Sequence, residues 1–225
     1  MILAVNSSTP QYSLALVSVD GILAAEYTVL PGRSGFTGFM PALDMLLKST
    51  GKRPEDIRCV CTAAGPGSFT GLRVGLSAAK GIAYSLNIPV IGISGIEALA
   101  SVITHTKYPV CSMITSRRGE AFFGLFRQEG NSLTRMTEDR SIKLTELASL
   151  IRETTILIGN DFRSQWSIIA ESNNSFIIPA SGEKWNLRAS LVGAIGLKRF
   201  KDGDFDDIRD IVPRYLSPPD IRPSV

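Results

Sequence analysis

Ala63-Ala64-Gly65-Pro66-Gly67-Ser68-Phe69-Thr70-Gly71-Leu72-Arg73-Val74-Gly75 brings a strand end, a glycine turn and a helix start together within thirteen residues. Ile57 to Ala63 is an apolar run of strand length. Gly65 and Gly67 admit backbone angles closed to other residues, and Ser68 or Thr70 can cap the helix that follows. Such a turn can approach a phosphate or carboxylate closely, because the glycines carry no Cβ and the first helical amides need acceptors. It serves equally as a plain strand-to-helix connection. The nucleotide-kinase loop is excluded, since Leu72-Arg73 stands where Lys-Ser or Lys-Thr would follow Gly71. The dinucleotide loop fits only as a stretched variant, and the next strand, Ile88 to Ile93, ends without the acidic residue that would hold a ribose.

Outward from this turn, strands are expected at Met1 to Asn6, Tyr12 to Val19 and Gly21 to Val29, with Asp20-Gly21 marking a hairpin. A helix from about Ser34 to Leu47 precedes the glycine-turn strand, and a short helix starts at Ser94. Beyond His105 a similar order begins again, with strands Val110 to Thr115 and Glu120 to Arg127, a helix near Lys143 to Arg152 and a strand Thr155 to Ile158. Helices near Phe162 to Glu171 and Leu187 to Phe200 complete it. The repeated order points to an α/β protein of two lobes, 1–103 and 104–225, whose last helix could pack back on the first lobe.

Composition narrows the chemistry. The 225 residues are 44% apolar and 20% charged with a net charge of +3, the balance of a folded domain without a polyanion-binding track. No run of eighteen apolar residues occurs, and Met1 to Val5 lacks the basic flank of a signal peptide, so a cytoplasmic location and no membrane contact are expected. Three cysteines, Cys59, Cys61 and Cys111, read as buried free thiols. The single histidine, His105, and the absence of a Gly-x-Ser-x-Gly elbow exclude histidine-pair metal sites and weigh against a serine hydrolase.

The two first-lobe helices differ in their apolar pattern. Phe36, Phe39, Met40, Leu43, Leu46 and Leu47 form one stripe, sufficient to cover the lobe's own sheet. From Gly71 to Leu86 only Arg73, Ser77, Lys80 and Tyr84 form a polar stripe, while Leu72, Leu76, Ala79, Ala83 and their neighbours cover the rest. Either the helix is buried wholly within the chain or its second apolar side meets another chain. Gly81 in a helix interior costs about 1 kcal/mol relative to alanine, which implies a packing reason.

Gly65-Pro66-Gly67-Ser68-Phe69-Thr70-Gly71-Leu72-Arg73 with Gly75 and Lys80-Gly81, then Ile88-Pro89-Val90 and Gly92-Ile93-Ser94, resembles the bacterial TsaB (YeaZ) family, and the likeness spans most of the chain. Ile2-Leu3-Ala4-Val5 with Ser7-Ser8-Thr9, Arg117-Arg118-Gly119-Glu120 and Pro213-Arg214-Tyr215-Leu216 add to it. The resemblance implies a two-lobed actin/hexokinase/Hsp70-like fold with mixed sheets flanked by helices. It implies a non-catalytic scaffold and activator in the synthesis of threonylcarbamoyladenosine beside the tRNA anticodon. The implied partners are a larger homologous catalytic subunit (TsaD-like), a small ATPase subunit (TsaE-like) and, through the complex, tRNA; self-association through the same surface is a further implication. For that pairing surface the expected residues are Phe36, Met40, Leu43, Leu72, Leu76, Ala79 and Ala83.

Four positions depart from the family pattern: Asn6 replaces an aspartate, Gly35 a histidine, Thr115 an aspartate and Ser217 an arginine. Each removes charge or a titratable group, which counts against an independent ATPase. No catalytic residue, metal or bound cofactor is assigned. The competing reading is a nucleotide-binding enzyme of the same fold, with ATP or ADP at Asn6, Ser8, Thr9, Gly65, Gly67, Ser68 and Arg117. A stand-alone homodimer with a regulatory role is the third.

Overall fold

The computed structural model describes residues 1–30, 36–130 and 132–217. Five strands build the first sheet: β1 (Ile2–Asn6), β2 (Tyr12–Val17), β3 (Leu23–Val29), β4 (Cys59–Gly65) and β5 (Val90–Ser94), in the spatial order β3-β2-β1-β4-β5. β2 and β3 run antiparallel on one side of β1, and β4 and β5 run parallel on the other. Every residue of β1, β2 and β4 is buried, because helices lie on both faces. α1 (Phe39–Ser49) and α2 (Phe69–Leu86) cover one face over Leu3, Val5, Leu14 and Leu16.

The second sheet repeats this plan. β6 (Val110–Thr115) is central, β7 (Glu120–Glu129) and β8 (Ser132–Arg135) follow antiparallel, and β10 (Thr155–Ile158) and β11 (Ile177–Pro179) lie parallel on the opposite side, in the order β11-β10-β6-β7-β8. β9 (Arg140–Lys143) pairs with the start of β7. α3 (Gly95–Ala100), α4 (Leu144–Leu150) and α5 (Phe162–Ala170) pack here, and one apolar core runs from beneath the first sheet, through Cys61, Ile91 and Ile96, to Met113, Phe123 and Leu157.

The elements largely follow the sequence reading, with instructive differences. β8, β9 and β11 escape it: each has only three or four residues and is half exposed, so no run of apolar residues marks it. The helix expected from Ser34 starts at Phe39, with Pro41 in its first turn, where proline's missing N–H is harmless. Ser34 and Gly35 lie outside the described residues.

The C-terminal quarter returns to the first sheet. α6 (Ala189–Lys201) lies across the face opposite α1 and α2, with Val192 and Leu197 in the core. Its N-terminus is held by Ser13 Oγ, which accepts from Ala189 N at 2.8 Å, and by Glu26, whose carboxylate accepts from Ser190 N at 2.8 Å. The tail then runs beside β5, the sheet's edge. Asp206 N donates to Val90 O, Gly92 N donates to Asp206 Oδ2 at 2.7 Å, and Arg199 donates to Gly92 O at 3.0 Å. Further on, Ile211 sits over Ala64 and Gly92, and Arg214 N donates to Ala64 O at 2.7 Å. A strand edge left open would be a template for pairing with other chains, and this tail covers it.

Candidate functional site: the glycine turn and the lobe junction

The loop after β1 and the glycine turn are built into each other. Ser8 O accepts from Ser68 N at 2.7 Å, and Ser7 Oγ donates to Gly71 O at 2.8 Å. A Cβ on Gly67 would fall on the Ser8 carbonyl oxygen, one on Gly71 on the Ser7 carbonyl oxygen, and one on Gly75 on Ser7 Oγ. Gly67 also holds φ at +157°, so glycine answers there to conformation as well as space. Ser68 is the cap: its Oγ accepts from Gly71 N at 3.3 Å. The glycines thus serve close packing against this chain's own first turn.

Asn6, Ser8 and Thr9 are consequently sealed rather than presented. Asn6 is fully buried; its Nδ2 donates to Leu187 O at 2.7 Å and to Thr9 Oγ1 at 3.2 Å, while its Oδ1 accepts from Ser8 N and from Ser8 Oγ. Both ends of the amide are satisfied, and one of them ties the first strand to the segment leading into α6. An aspartate could not give the hydrogen bond to Leu187. The expectation of a nucleotide at Asn6, Ser8 and Thr9 is therefore corrected: these groups are hydrogen-bonded inside the chain. Gly65 lies beneath the Arg214 backbone and is likewise covered.

Gly67, Ser68 and Arg117 do come together. With Phe69 from the first lobe, Ser116 and Phe122 from the second, and Arg214 to Ser217 from the tail, they line a cavity of about 150 Å³ at the lobe junction. Sequence reading missed Ser116, Phe122 and the tail as wall residues. Arg214 was noticeable only as part of Pro213-Arg214-Tyr215-Leu216, and nothing local places that string beside Ser68. Tyr215 fixes the tail there: its ring packs on Phe69 with centroids 4.8 Å apart, and its hydroxyl accepts from Arg73 Nε at 3.1 Å. Nearby, β8 reaches across the junction, where Arg135 pairs with Asp139 and donates to Ser94 Oγ at 3.3 Å. Burial raises the pKa of Asp139 against the opposing effects of Arg135 and Arg214. Thr115 N donates to Asn160 Oδ1 at 2.7 Å, a second neutral contact where the family pattern has a charge. Among the described residues the cavity wall carries arginine and serine side chains and no carboxylate or imidazole, so those residues offer no group suited to moving a proton.

The expected pairing surface needs a larger correction. Leu43, Leu72, Leu76, Ala79 and Ala83 are at most 5% exposed, buried in the chain's own core beneath α1 and α2. Phe36 is half-buried against Tyr12, its ring centroid 5.7 Å away. Only Met40, 57% exposed, is on the outside. The outer surface of the two helices is instead made by Met40 and Met45 on α1 and by Arg73, Ser77, Gly81 and Tyr84 on α2. Tyr84 is 80% exposed, and a Cβ on Gly81 would have nothing within 4 Å. The α2 pattern misled because Leu76, Ala79 and Ala83 are taken up in the chain's own core, together with Ile211 of the tail.

Cys59, Cys61 and Cys111 are fully buried. Burial pushes the Cys111 thiol up to about 12, and the Cys61 thiol is raised first by its contact with Cys59 and then by burial. All three should be silent toward a thiol reagent at pH 8 in the native protein and react in denaturant, since the thiolate is the nucleophile. A rapid native-state reaction, followed by absorbance, would contradict the packing described here.

The family model for "TsaD: tRNA N6-adenosine threonylcarbamoyltransferase" matches residues 37–219. The chain is 28% identical over 218 residues to the tRNA threonylcarbamoyladenosine biosynthesis protein TsaB of Bacillus subtilis, covering 96% of this chain and 93% of that one. Among solved structures, a Pseudomonas aeruginosa protein described as similar to peptidase YEAZ superposes with a TM-score of 0.78 at 19% identity, over 96% of this chain and 99% of that one. A putative N-acetylmannosamine kinase from Listeria monocytogenes does so with a TM-score of 0.53 at 12% identity, over 89% and 99%. These likenesses, with the doubled sheet plan, give the fold as two-lobed and actin/hexokinase-like. Among the described residues no helix is long and apolar enough to cross a membrane.

Proposed function

The chain belongs to the tRNA N6-adenosine threonylcarbamoyltransferase family, on its TsaB (YeaZ) branch, and from that premise we propose that it is a non-catalytic subunit supporting threonylcarbamoyladenosine formation on tRNA in the cytoplasm. Its partner in this reading is the larger, TsaD-like homologue, with a TsaE-like ATPase joining the assembly and tRNA reached through the complex. The observation that carries the reading is the closed junction behind the glycine turn. Asn6 spends its amide on Leu187, and Ser8 spends its carbonyl on Ser68, where a chain with its own nucleotide chemistry would keep acceptors and donors for ligand.

Pairing then falls to the outer side of α1 and α2. Gly81, open on the side away from the core, lets a helix come close, and the exposed Tyr84 three residues on supplies an apolar contact. A charge at Leu76 would break the chain's own core, so the test belongs on exposed positions. Tyr84→Ala should leave the melting temperature of the isolated chain almost unchanged, and Gly81→Leu should raise it slightly. Both should weaken association with the TsaD-like homologue about tenfold or more, as removal or blockage of a central aromatic contact does. Calorimetric titration of the two purified proteins reads the affinity. Nucleoside mass spectrometry of tRNA, after replacement of the gene by each variant, reads the product. Unchanged affinity in both variants would remove this face from the interface, and unchanged threonylcarbamoyladenosine on loss of the whole protein would remove the function. The same variants report on self-association: a homodimer through this face would become monomeric in light scattering.

A further inference from the structure

We propose that the outer edge of β3 pairs antiparallel with β3 of a second copy of this chain, joining two first sheets about a two-fold axis at Tyr27. The proposal goes beyond the pairing reading and uses none of the residues assigned to it on α1 and α2.

The edges of the two sheets are not alike. The tail covers β5, while β8, β9 and β11 have only four, four and three residues. Covered edges and very short edges are the usual protection against pairing with other chains. β3 has neither. It runs for seven residues, Leu23–Val29, as the last strand of its sheet, and among the described residues no other strand pairs with its outer side. It contains no lysine, arginine or proline, the residues that commonly blunt an edge. Its one charge, Glu26, is turned into the fold, where the carboxylate accepts from Ser190 N at 2.8 Å and from Ser190 Oγ at 3.0 Å. Apolar side chains are exposed at both ends, Ile22 by 67% and Leu30 by 75%, with Leu23 and Tyr27 between them.

Backbone donors and acceptors along an open edge are satisfied best by another strand, and the side chains of this edge fit a second copy of themselves. Leu16 lies opposite Ala25 but Val17 opposite Leu23, so Ala24 is an extra residue that bends the strand and ends the regular edge at Ala25. The regular stretch that remains, Ala25 to Val29, is centred on Tyr27. Two copies overlap over all of it only when Tyr27 meets Tyr27 on the axis. Residues directly opposite then share a face: Val29 meets Ala25, and Glu26 meets Thr28, whose hydroxyl can donate to a carboxylate. No like charges oppose each other, and two tyrosine rings, a side chain favoured at interfaces, meet at the centre. An unrelated extended peptide would find the same backbone groups without these matched side chains. A two-fold contact of this kind closes at two copies and builds no fibre.

Sedimentation equilibrium of the full chain is expected to show monomer and dimer with a Kd of about 50 µM, since an interface built on one strand pair lies at the small end of specific contacts. Tyr27→Lys places two ammonium groups on the axis and should weaken the dimer about tenfold or more, whereas Tyr84→Ala on α2 should leave it unchanged. Tyr27→Cys should give a disulfide-linked dimer with oxidised glutathione as oxidant, because this position meets its own copy with Cβ atoms about 5 Å apart. Thr28→Cys, which faces Glu26 of the other copy, should link far more slowly. The native thiols do not compete, since Cys59, Cys61 and Cys111 are buried. This cross-linking reads the same contact should Tyr27→Lys fail to fold. A chain that stays monomeric at about 500 µM overturns the proposal, being then tenfold above the expected Kd. So does a dimer lost in Tyr84→Ala but kept in Tyr27→Lys, or equal linking in Tyr27→Cys and Thr28→Cys. None of these outcomes bears on association with the TsaD-like homologue, which the α2 variants test separately.

Discussion

Gly71→Ala should lower the melting temperature of this protein by about 10 °C, while Gly81→Ala, in the same helix, should raise it by about 2 °C. Both substitutions add one methyl group to α2, so helix propensity favours both by about 1 kcal/mol. At Gly71 the new Cβ would land on the Ser7 carbonyl oxygen, and neither the buried end of β1 nor the capped helix start can give way. Relief requires α2 to lift from the sheet, which also strains the bond from Ser7 Oγ to Gly71 O. Overpacking of this kind together with a weakened buried hydrogen bond costs about 3–4 kcal/mol, a large part of the stability of a typical domain. At Gly81 nothing lies within 4 Å, so the propensity gain is kept. Thermal melts followed by circular dichroism measure both. Equal effects at the two sites would show that α2 does not rest on the β1 loop as described.

The second large effect is expected from Asn6→Asp, which installs the residue usual for the family and should destabilise this member by about 3–5 kcal/mol at pH 7. The oxygen replacing Nδ2 would face the Leu187 carbonyl, leaving that acceptor without its donor and a carboxylate buried beside it. The remaining contacts from Ser8 cannot offset the loss, since they already serve Oδ1. Burial against a carbonyl raises the folded-state pKa of the new carboxyl above its unfolded value near 3.9. The protonated acid, which can donate to Leu187, is then the favoured folded form. The deficit is therefore smallest below about pH 4 and grows as pH rises, reaching its full size above the raised folded-state pKa. Urea unfolding of variant and parent at pH 4.5 and pH 7.5 gives the two differences. A gap that is absent, or that narrows with rising pH, would contradict the assignment of Asn6 as the tie between β1 and the segment before α6.

Much of this could be read in advance from local pattern. Cys59 to Gly65 is apolar and strand-length, Ser68 stands where a cap belongs, and Asp20-Gly21 forms the β2–β3 turn with Gly21 at φ +90°. The order of elements announced two lobes even without residue-level repetition. Short, half-exposed strands left too little periodicity to detect. The cavity at the lobe junction was legible only in part: Gly67, Ser68 and Arg117 stood out by type and context, whereas Arg214 is separated from Ser68 by most of the chain.

The sequence by itself determined the strand-turn-helix unit, the similar order of elements in the two halves and the α/β class, because backbone propensity, capping and apolar periodicity act between residues close in the chain. Only the tertiary structure decided which apolar positions of α2 are used internally and that Asn6, Ser8 and Thr9 are closed to ligand. It also decided that the tail completes both the first sheet's edge and the junction cavity. Periodicity states how apolar a face is, but not what covers it. A hydrogen-bonding side chain advertises its capacity, but not the distant carbonyl that will occupy it.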